Sequence, residues 1–262
     1  MPRKETQMLA VERRNTILET LRRQGIVTVL ELAKTFAVTE ETIRRDLKKL
    51  ETANGVARTY GGAYITKSVH SDIPVGIREG IYLEGKEAIA ELAEQAIVDG
   101  DTIILDSSTT SIHIAKRLMD RTNIIVITNS IKVVNVLAEA EGIKVICTGG
   151  TLRSRQLSFT GPSAVKSLAV YYADKAFVSC TGIDLQNGLT DSDEQEAEIR
   201  QKMLEQAQEK IIIADQTKLG KISFAAIAPV DVADCIITDL ELDETWRAEL
   251  DLRKIRYLYP NQ

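Results

Sequence analysis

Two groups of residues in this chain have types and spacings that can do chemistry. From Thr39 to Leu50 the sequence is T-E-E-T-I-R-R-D-L-K-K-L. At about 100° per residue, Ile43, Leu47 and Leu50 share one narrow arc, and Arg44, Arg45, Lys48 and Lys49 lie across from them. Such a helix is either an ordinary solvated surface or a means of presenting cations to phosphates and guanine edges. The second group recurs where apolar runs end. TIIL runs into Asp106-Ser107-Ser108-Thr109-Thr110, IIVI into Thr128-Asn129-Ser130, KVIC into Thr148-Gly149-Gly150, FVSC into Thr181-Gly182-Ile183-Asp184, and KIIIA into Asp215-Gln216-Thr217-Lys218. Any one of these loops is explained by helix capping. Five on one rim would form a site of hydroxyls and free backbone N–H groups suited to an anion.

The elements that position the basic helix are legible on either side of it. Ala10 to Arg23 has Ile17, Leu18 and Leu21 on one side and Arg13, Arg14, Arg22 and Arg23 on the other, and Gly25 ends it. Thr28-x-x-Glu31 is a capping box opening a second helix to Phe36, and Ala37-Val38-Thr39 turns into the basic helix, whose N-cap is Thr39. Two helices joined by a short turn, the second basic outside, make a helix-turn-helix, whose second helix enters the major groove. After Gly55, residues Val56 to Tyr64 carry β-formers around Gly61-Gly62 and predict a hairpin wing. Thr28, Thr39, Glu41, Thr42, Arg44, Arg45, Lys48 and Lys49 of the helices, with Arg58 and Tyr60 of the wing, are the candidate DNA contacts.

The elements behind the polar loops alternate. Lys86–Val98, Thr110–Met119, 131–140 and 192–208 have helical patterns. Apolar strands are expected at 102–106, 124–128, 143–147, 175–180, 210–215 and 235–238, with a last one near Ile255–Tyr259. Strands buried on both faces and separated by helices imply a doubly wound, mainly parallel α/β sheet, with ligands beyond its carboxyl ends. The domains expected are 1–64, a linker 65–84 containing His70, Asp72, Pro74 and Gly76, and 85–262. On the rim, Asp106, Asn129 and Asp215 are expected to take sugar hydroxyls, and Lys218 or Arg153 to neutralise the anion. The other candidate ligand contacts are Ser107, Ser108, Thr109, Thr110, Thr128, Ser130, Gly149, Gly150, Gly182 and Asp184.

Composition agrees with this division. The chain has 262 residues, 44% hydrophobic and 27% charged, the balance of a globular protein with one or two cores. Its net charge of −5 is uneven: residues 1–64 hold 12 Lys and Arg against 8 Asp and Glu, and the remainder is correspondingly acidic. A basic head on an acidic body fits local contact with nucleic acid. No apolar run reaches 18 residues and no signal peptide stands out, so a cytoplasmic location with no membrane partner is expected. Cys147, Cys180 and Cys235 lack disulfide or metal spacing and are expected as buried free thiols in strands. His70 and His113 are the only histidines, which excludes a His-rich metal site, and His113 is expected on a helix surface.

The run I-R-R-D-L-x-x-L-E, then Gly55, then R-T-Y-G-G-A, resembles the N-terminal winged helix of the DeoR family of bacterial sugar-catabolism repressors. The second half resembles that family's effector domain at Asp106–Thr110, T-N-S at 128–130, T-G-G at 148–150, F-T-G-P at 159–162, D-K-A-F at 174–177, G-I-D at 182–184, N-G-L-T at 187–190 and A-D-x-x-K at 214–218. The resemblance implies a sensor domain related in fold to ribose-5-phosphate isomerase and coenzyme A transferases. It also implies operator DNA as partner, a homodimer or homotetramer, no cofactor, and release by a phosphorylated sugar. Ser108 stands where the family usually has Gly. The combination S-S-T-T, L-S-F-T-G-P and V-S-C-T-G-I-D is most similar to the rhamnose-type branch, which implies rhamnulose 1-phosphate as effector. The alternative is a sugar-phosphate isomerase or deaminase with an accessory N-terminal domain. For it, Asp184, Asp191, Asp193, Glu194, Glu196 and Glu198 are available bases, though a helical acidic run is usually a solvated face. No nucleophile–base pair stands out, so no catalytic residue is assigned. The split of roles predicts that Asp106→Ala abolishes induction and leaves operator binding intact.

Overall fold

The computed structural model describes residues 9–24, 26–51, 56–59, 61–65 and 74–260. Gly25, Gly55, Tyr60, His70 and Asp72 lie outside them, as do residues 66–73 of the expected linker. The chain divides into two compact units, Met1–Tyr82 and Leu83–Gln262.

In the first unit, helices α1 (Ala10–Gln24), α2 (Val29–Phe36) and α3 (Glu40–Glu51) pack around Ile17, Leu21, Leu32, Ala33, Ile43, Leu47 and Leu50. These are the apolar arcs expected from spacing, and burying each large aliphatic side chain is worth about 1.5–3 kcal/mol. Thr28 caps α2: its hydroxyl accepts from Glu31 N at 3.2 Å and donates to the Glu31 carboxylate at 2.8 Å. Ala37 (φ 50°) takes the left-handed conformation that turns the chain into α3, its N–H bonding to Ala33 and Lys34 carbonyls. The wing has one strand more than expected. Strand β1 (Ile26–Thr28) joins β2 (Val56–Thr59) and β3 (Gly62–Ile65) in an antiparallel sheet of order β1-β3-β2. A Cβ on Gly62 would lie 2.1 Å from Val27 O, so only glycine allows this approach. Ile65 closes β3, and Val75–Arg78 forms a single helical turn, α4.

The second unit begins with α5 (Leu83–Gln95) and is built on a seven-stranded parallel sheet. Its members are β4 (Thr102–Leu105), β5 (Ile124–Thr128), β6 (Ile143–Cys147), β9 (Ala173–Val178), β12 (Ala207–Ile213), β14 (Cys235–Ile237) and β15 (Arg256–Leu258). Their order is β15-β14-β12-β9-β4-β5-β6, with β9 central and β4 beside it. On one face Ile104, Ile127, Ala176, Val178, Ile212 and Ile236 pack with Ile199 and Met203 of α9 (Glu194–Glu205) and Trp246 and Leu250 of α10 (Glu244–Leu252). Their strand neighbours Ile103, Leu105, Val126, Phe177, Ile211 and Ile213 are equally buried on the other face. The sheet is therefore covered on both sides, as parallel sheets require. No helix among the described residues is long and apolar enough to cross a membrane.

Several boundaries differ from the sequence expectations. Strands β9 and β12 begin two and three residues earlier than the apolar runs suggested, because Ala207 pairs with Ala173 well before those runs start. Helix α9 is shorter at both ends, capped by Asp193. Two antiparallel additions were not anticipated: the hairpin β7–β8 (Thr151–Arg153 and Ser158–Thr160), and a small sheet of order β10-β11-β13 (Gly182–Asp184, Gly188–Asp191 and Ala225–Ala228). Cys180 and Cys235 are buried free thiols, pushed up by burial to about 12 and about 11, but Cys180 lies beyond the end of β9. Cys147, expected buried, is exposed where edge strand β6 ends. His113, expected on a surface, is buried in α6 (Thr109–Arg117).

Candidate functional site

In the first unit the front of α3 carries Glu41, Arg45, Lys48 and Lys49, all exposed. Thr39 caps the helix, its hydroxyl accepting from Thr42 N at 3.3 Å and sharing a 2.9 Å hydrogen bond with the Thr42 hydroxyl. Arg44 pairs with Glu40 at 2.9 Å, one turn away on the same surface. Arg58 of the wing reaches the end of α3, 2.8 Å from Glu51, and holds that carboxyl below its usual range. Exposed pairs of this kind are worth 0–1 kcal/mol at most, so both arginines exchange partners readily. Arg45 and Lys48 have no ion pair among the described residues and are the readiest cations on this face. Thr28 is spent on its cap, and Tyr60 lies outside the described residues.

One further group here is not evident from residue spacing. Asp46 lies at the edge of the apolar arc, just beyond Leu50 on the helical wheel, and is buried with it. Its carboxylate meets Arg13 Nε at 2.6 Å and Arg14 Nη1 at 3.3 Å, both from α1. An acid bordering the apolar arc was the available hint.

In the second unit the loops after β4, β5, β9 and β12 share the carboxyl edge of one sheet, with Leu105 registered to Thr128 and to Phe177. Many of the expected ligand groups are already occupied. Asp106 is fully buried: Oδ1 accepts from Ser108 N at 2.9 Å and Ser111 Oγ at 2.6 Å, and Oδ2 accepts from Ser179 N at 2.9 Å and Arg200 Nε at 3.0 Å. Burial pushes its carboxyl up, but Arg200 and these donors outweigh it and hold the group below the usual range. Asp106 therefore faces the protein and not a sugar hydroxyl, contrary to expectation. Ser108 and Ser130 cap α6 and α7 (Ile131–Leu137), and Thr128 accepts from Ser130 N at 3.0 Å. Ser107 donates to Glu196 at 3.0 Å. Asp184 is used by its own turn, taking the Gln186 and Asn187 backbone N–H groups at 3.0 and 2.8 Å. Gly182 serves packing, since a Cβ there would meet Lys221 O at 2.4 Å. Gly150 likewise lets its loop approach α8 (Pro162–Leu168), where a Cβ would meet Ala164 at 2.8 Å.

Arg153 is also engaged, at 2.9 Å to both Asp193 and Glu196. It belongs to a buried ion network that the sequence did not reveal. Arg200 lies between Asp106, Asp191 and, at 4.0 Å, Glu196, and forms a short contact with Asp191. Burial opposes the charge on Arg200, but Asp191 and Asp106 hold the guanidinium firmly protonated. Glu196 takes Ser107 on one oxygen, and Ser158 (2.5 Å) and Arg153 on the other. The acidic run 191–198, expected as a solvated face, thus buries Asp191 and Glu196. Asp193-x-x-Glu196 has capping-box spacing, and Arg200 follows one turn later on the same side. That was the available signal.

What remains open on the rim is a smaller set. The Thr109 and Thr110 side chains have no hydrogen-bond partner among the described residues, and their N–H groups open helix α6, where no intrahelical acceptor exists. Asn129 is wholly buried; its amide donates to Phe159 O at 2.9 Å, and its Oδ1 has no partner. Asp215 gives one oxygen to Thr217 N at 2.9 Å and to the Thr217 hydroxyl. Lys218 makes no ion pair among the described residues, and its charge partly offsets the rise that burial gives the Cys180 thiol. Gly149 (φ 62°) opens onto free space. The fixed charges beneath the rim favour acid, with four carboxylates against Arg153 and Arg200. An anion there has to be held by N–H dipoles and Lys218.

Residues 13–69 match the DeoR-like helix-turn-helix domain, and residues 82–240 match the DeoR C terminal sensor domain. The transcriptional regulator YulB of Bacillus subtilis is 41% identical, covering 95% of this chain and 96% of its own length. The transcriptional repressor GlcR of the same organism is 36% identical over 97% of this chain and 98% of its own. The glycerol-3-phosphate regulon repressor of Escherichia coli is 30% identical over 88% and 92%. Among solved structures, ribose 5-phosphate isomerase A of Methanocaldococcus jannaschii aligns over 51% of this chain and 53% of its own, with 18% identity and a TM-score of 0.38.

Proposed function

The chain belongs to the DeoR family of transcriptional regulators, and on that premise we propose that it represses a carbohydrate catabolic operon and is released by a phosphorylated sugar. The observation that carries the effector half is the set of unoccupied polar groups on the rim. The Thr109 and Thr110 N–H and hydroxyl groups receive the phosphate with help from Lys218, and Asn129 Oδ1 accepts from a sugar hydroxyl. A buried amide oxygen without a partner costs free energy until a ligand supplies one. A relative named for the glycerol-3-phosphate regulon supports a phosphorylated polyol as the ligand class. Rhamnulose 1-phosphate is the first compound to try. The protein works in the cytoplasm as a homodimer or homotetramer, because helix-turn-helix heads read paired half-sites roughly 34–36 Å apart.

The isomerase alternative draws no support from the site. Glu196 is buried with both oxygens occupied, and Asp191, also buried, is locked to Arg200. Neither is poised as a general base.

A thermal-shift screen of phosphorylated pentoses and hexoses, with the unphosphorylated sugars as controls, tests the ligand assignment. A true effector at a hundredfold its Kd adds about 2.7 kcal/mol, hence roughly 5–10 °C for a unit of this size. Lys218→Ala and Asn129→Ala are expected to shrink the shift. No shift with any phosphorylated sugar, or an equal shift with the free sugars, would contradict the assignment.

A further inference from the structure

We infer that Asp46, clamped by Arg13 and Arg14, is a positioning residue that fixes the rotation of the recognition helix α3 on DNA. The inference rests on operator binding by the winged helix. Asp46 is only 4% exposed and lies beside the arc of Ile43, Leu47 and Leu50, on the side of α3 turned away from solvent. Arg13 is itself buried, and its Nε stands 2.6 Å from one carboxylate oxygen while Arg14 Nη1 stands 3.3 Å from the other. Both arginines belong to α1, more than 30 residues away in sequence.

A carboxylate is a poor way to fill this space. Removing two charges from water costs more than an apolar side chain of similar volume, and buried ion pairs often contribute nothing net to stability. What an ion pair adds is direction. Ile43, Leu47 and Leu50 alone form a smooth stripe on which α3 could turn about its axis. A carboxylate gripped on both oxygens by a neighbouring helix removes that freedom. The outer surface of a helix lies about 5–6 Å from its axis, so a turn of ~20° moves that surface by about 2 Å. Hydrogen bonds to base edges tolerate only a few tenths of an ångström. Phosphate attraction through Arg45, Lys48 and Lys49 falls off slowly with distance and survives such a turn. Losing the clamp therefore costs sequence discrimination more than overall affinity.

The test uses the full chain and a duplex that the wild-type protein selects from random sequence, compared with a scrambled duplex of equal length. In Arg13→Met/Asp46→Leu the clamp is replaced by apolar side chains. The expected result is an unfolding midpoint at or above wild type, unchanged affinity for the scrambled duplex, and a specificity ratio reduced at least tenfold. Arg13→Lys keeps the charge but loses the guanidinium geometry, and is expected to lower the ratio more than threefold at an unchanged midpoint. If the ratio in both variants stays within threefold of wild type, or if the double variant fails to fold, the inference is overturned. Wild-type protein that selects no duplex would instead defeat the operator-binding function itself.

Discussion

Replacing Asp106 with alanine is expected to lower the unfolding midpoint of residues 83–262 by roughly 6–20 °C, an effect of about 3–5 kcal/mol. The cause is what it would leave behind. Arg200 is buried, and without Asp106 it keeps only the short contact with Asp191 and the 4.0 Å approach to Glu196. The Ser108 and Ser179 N–H groups and the Ser111 hydroxyl would lose their acceptor in a site water does not reach. The pH dependence has a definite sign. The Asp106 carboxyl is held below its ordinary value in the fold. Its contribution is therefore complete above the unfolded carboxyl pKa of ~3.9 and is lost as pH falls through the lower folded value. Wild type and variant should differ by a constant amount from neutrality down to about pH 5 and converge in stronger acid. Thermal unfolding followed by circular dichroism across that range measures it. A variant as stable as wild type at pH 7 would mean that the network does not hold the rim. The sequence had suggested a different outcome, loss of induction alone, because it could not reveal that both oxygens face inward.

The second large effect lies on DNA. Arg45→Ala combined with Lys48→Ala is expected to weaken operator binding by about 2–6 kcal/mol, roughly 30-fold to 10⁴-fold, at 1–3 kcal/mol per contact. Both cations are exposed on α3 and free of ion pairs among the described residues, so their removal leaves the core of Ile43, Leu47 and Leu50 untouched. The unfolding midpoint should not move. Where the lost contacts are to phosphate, the slope of log affinity against log salt falls by about 0.9 for each. Arg44→Ala should cost less, since Glu40 already neutralises part of its charge. Fluorescence anisotropy at several salt concentrations separates these cases, and wild-type affinity in the double variant would remove α3 from the interface.

What was legible in the sequence was periodic or local. The arc of Ile43, Leu47 and Leu50, the Thr28–Glu31 cap, and the wing around Gly61-Gly62 depend on residues within one or two turns of each other. The polar edge of the sheet was legible for the same reason, as each loop directly follows its strand. Long-range pairing was not. Glu196 gathers Ser107, Ser158 and Arg153 from points up to 89 residues away, and no spacing rule connects them. The hairpin β7–β8 was missed because three-residue strands are too short to show alternation. Serine, threonine and aspartate of the rim loops were expected to meet a ligand. Most of them instead hydrogen-bond the backbone or Arg200, while Asn129 Oδ1 has no partner.

Operator release is the most direct measurement of control by a phosphorylated sugar. Wild-type protein bound to its fluorescent operator would be titrated with the phosphorylated sugar that stabilises it most, with Asn129→Ala/Lys218→Ala in parallel. The expected result is dissociation of the wild-type complex at ligand concentrations near the Kd from thermal shifts, while the double variant binds the operator with unchanged affinity and stays on it. A stabilising ligand that leaves the wild-type complex intact, or one that releases both proteins equally, would contradict control through this rim.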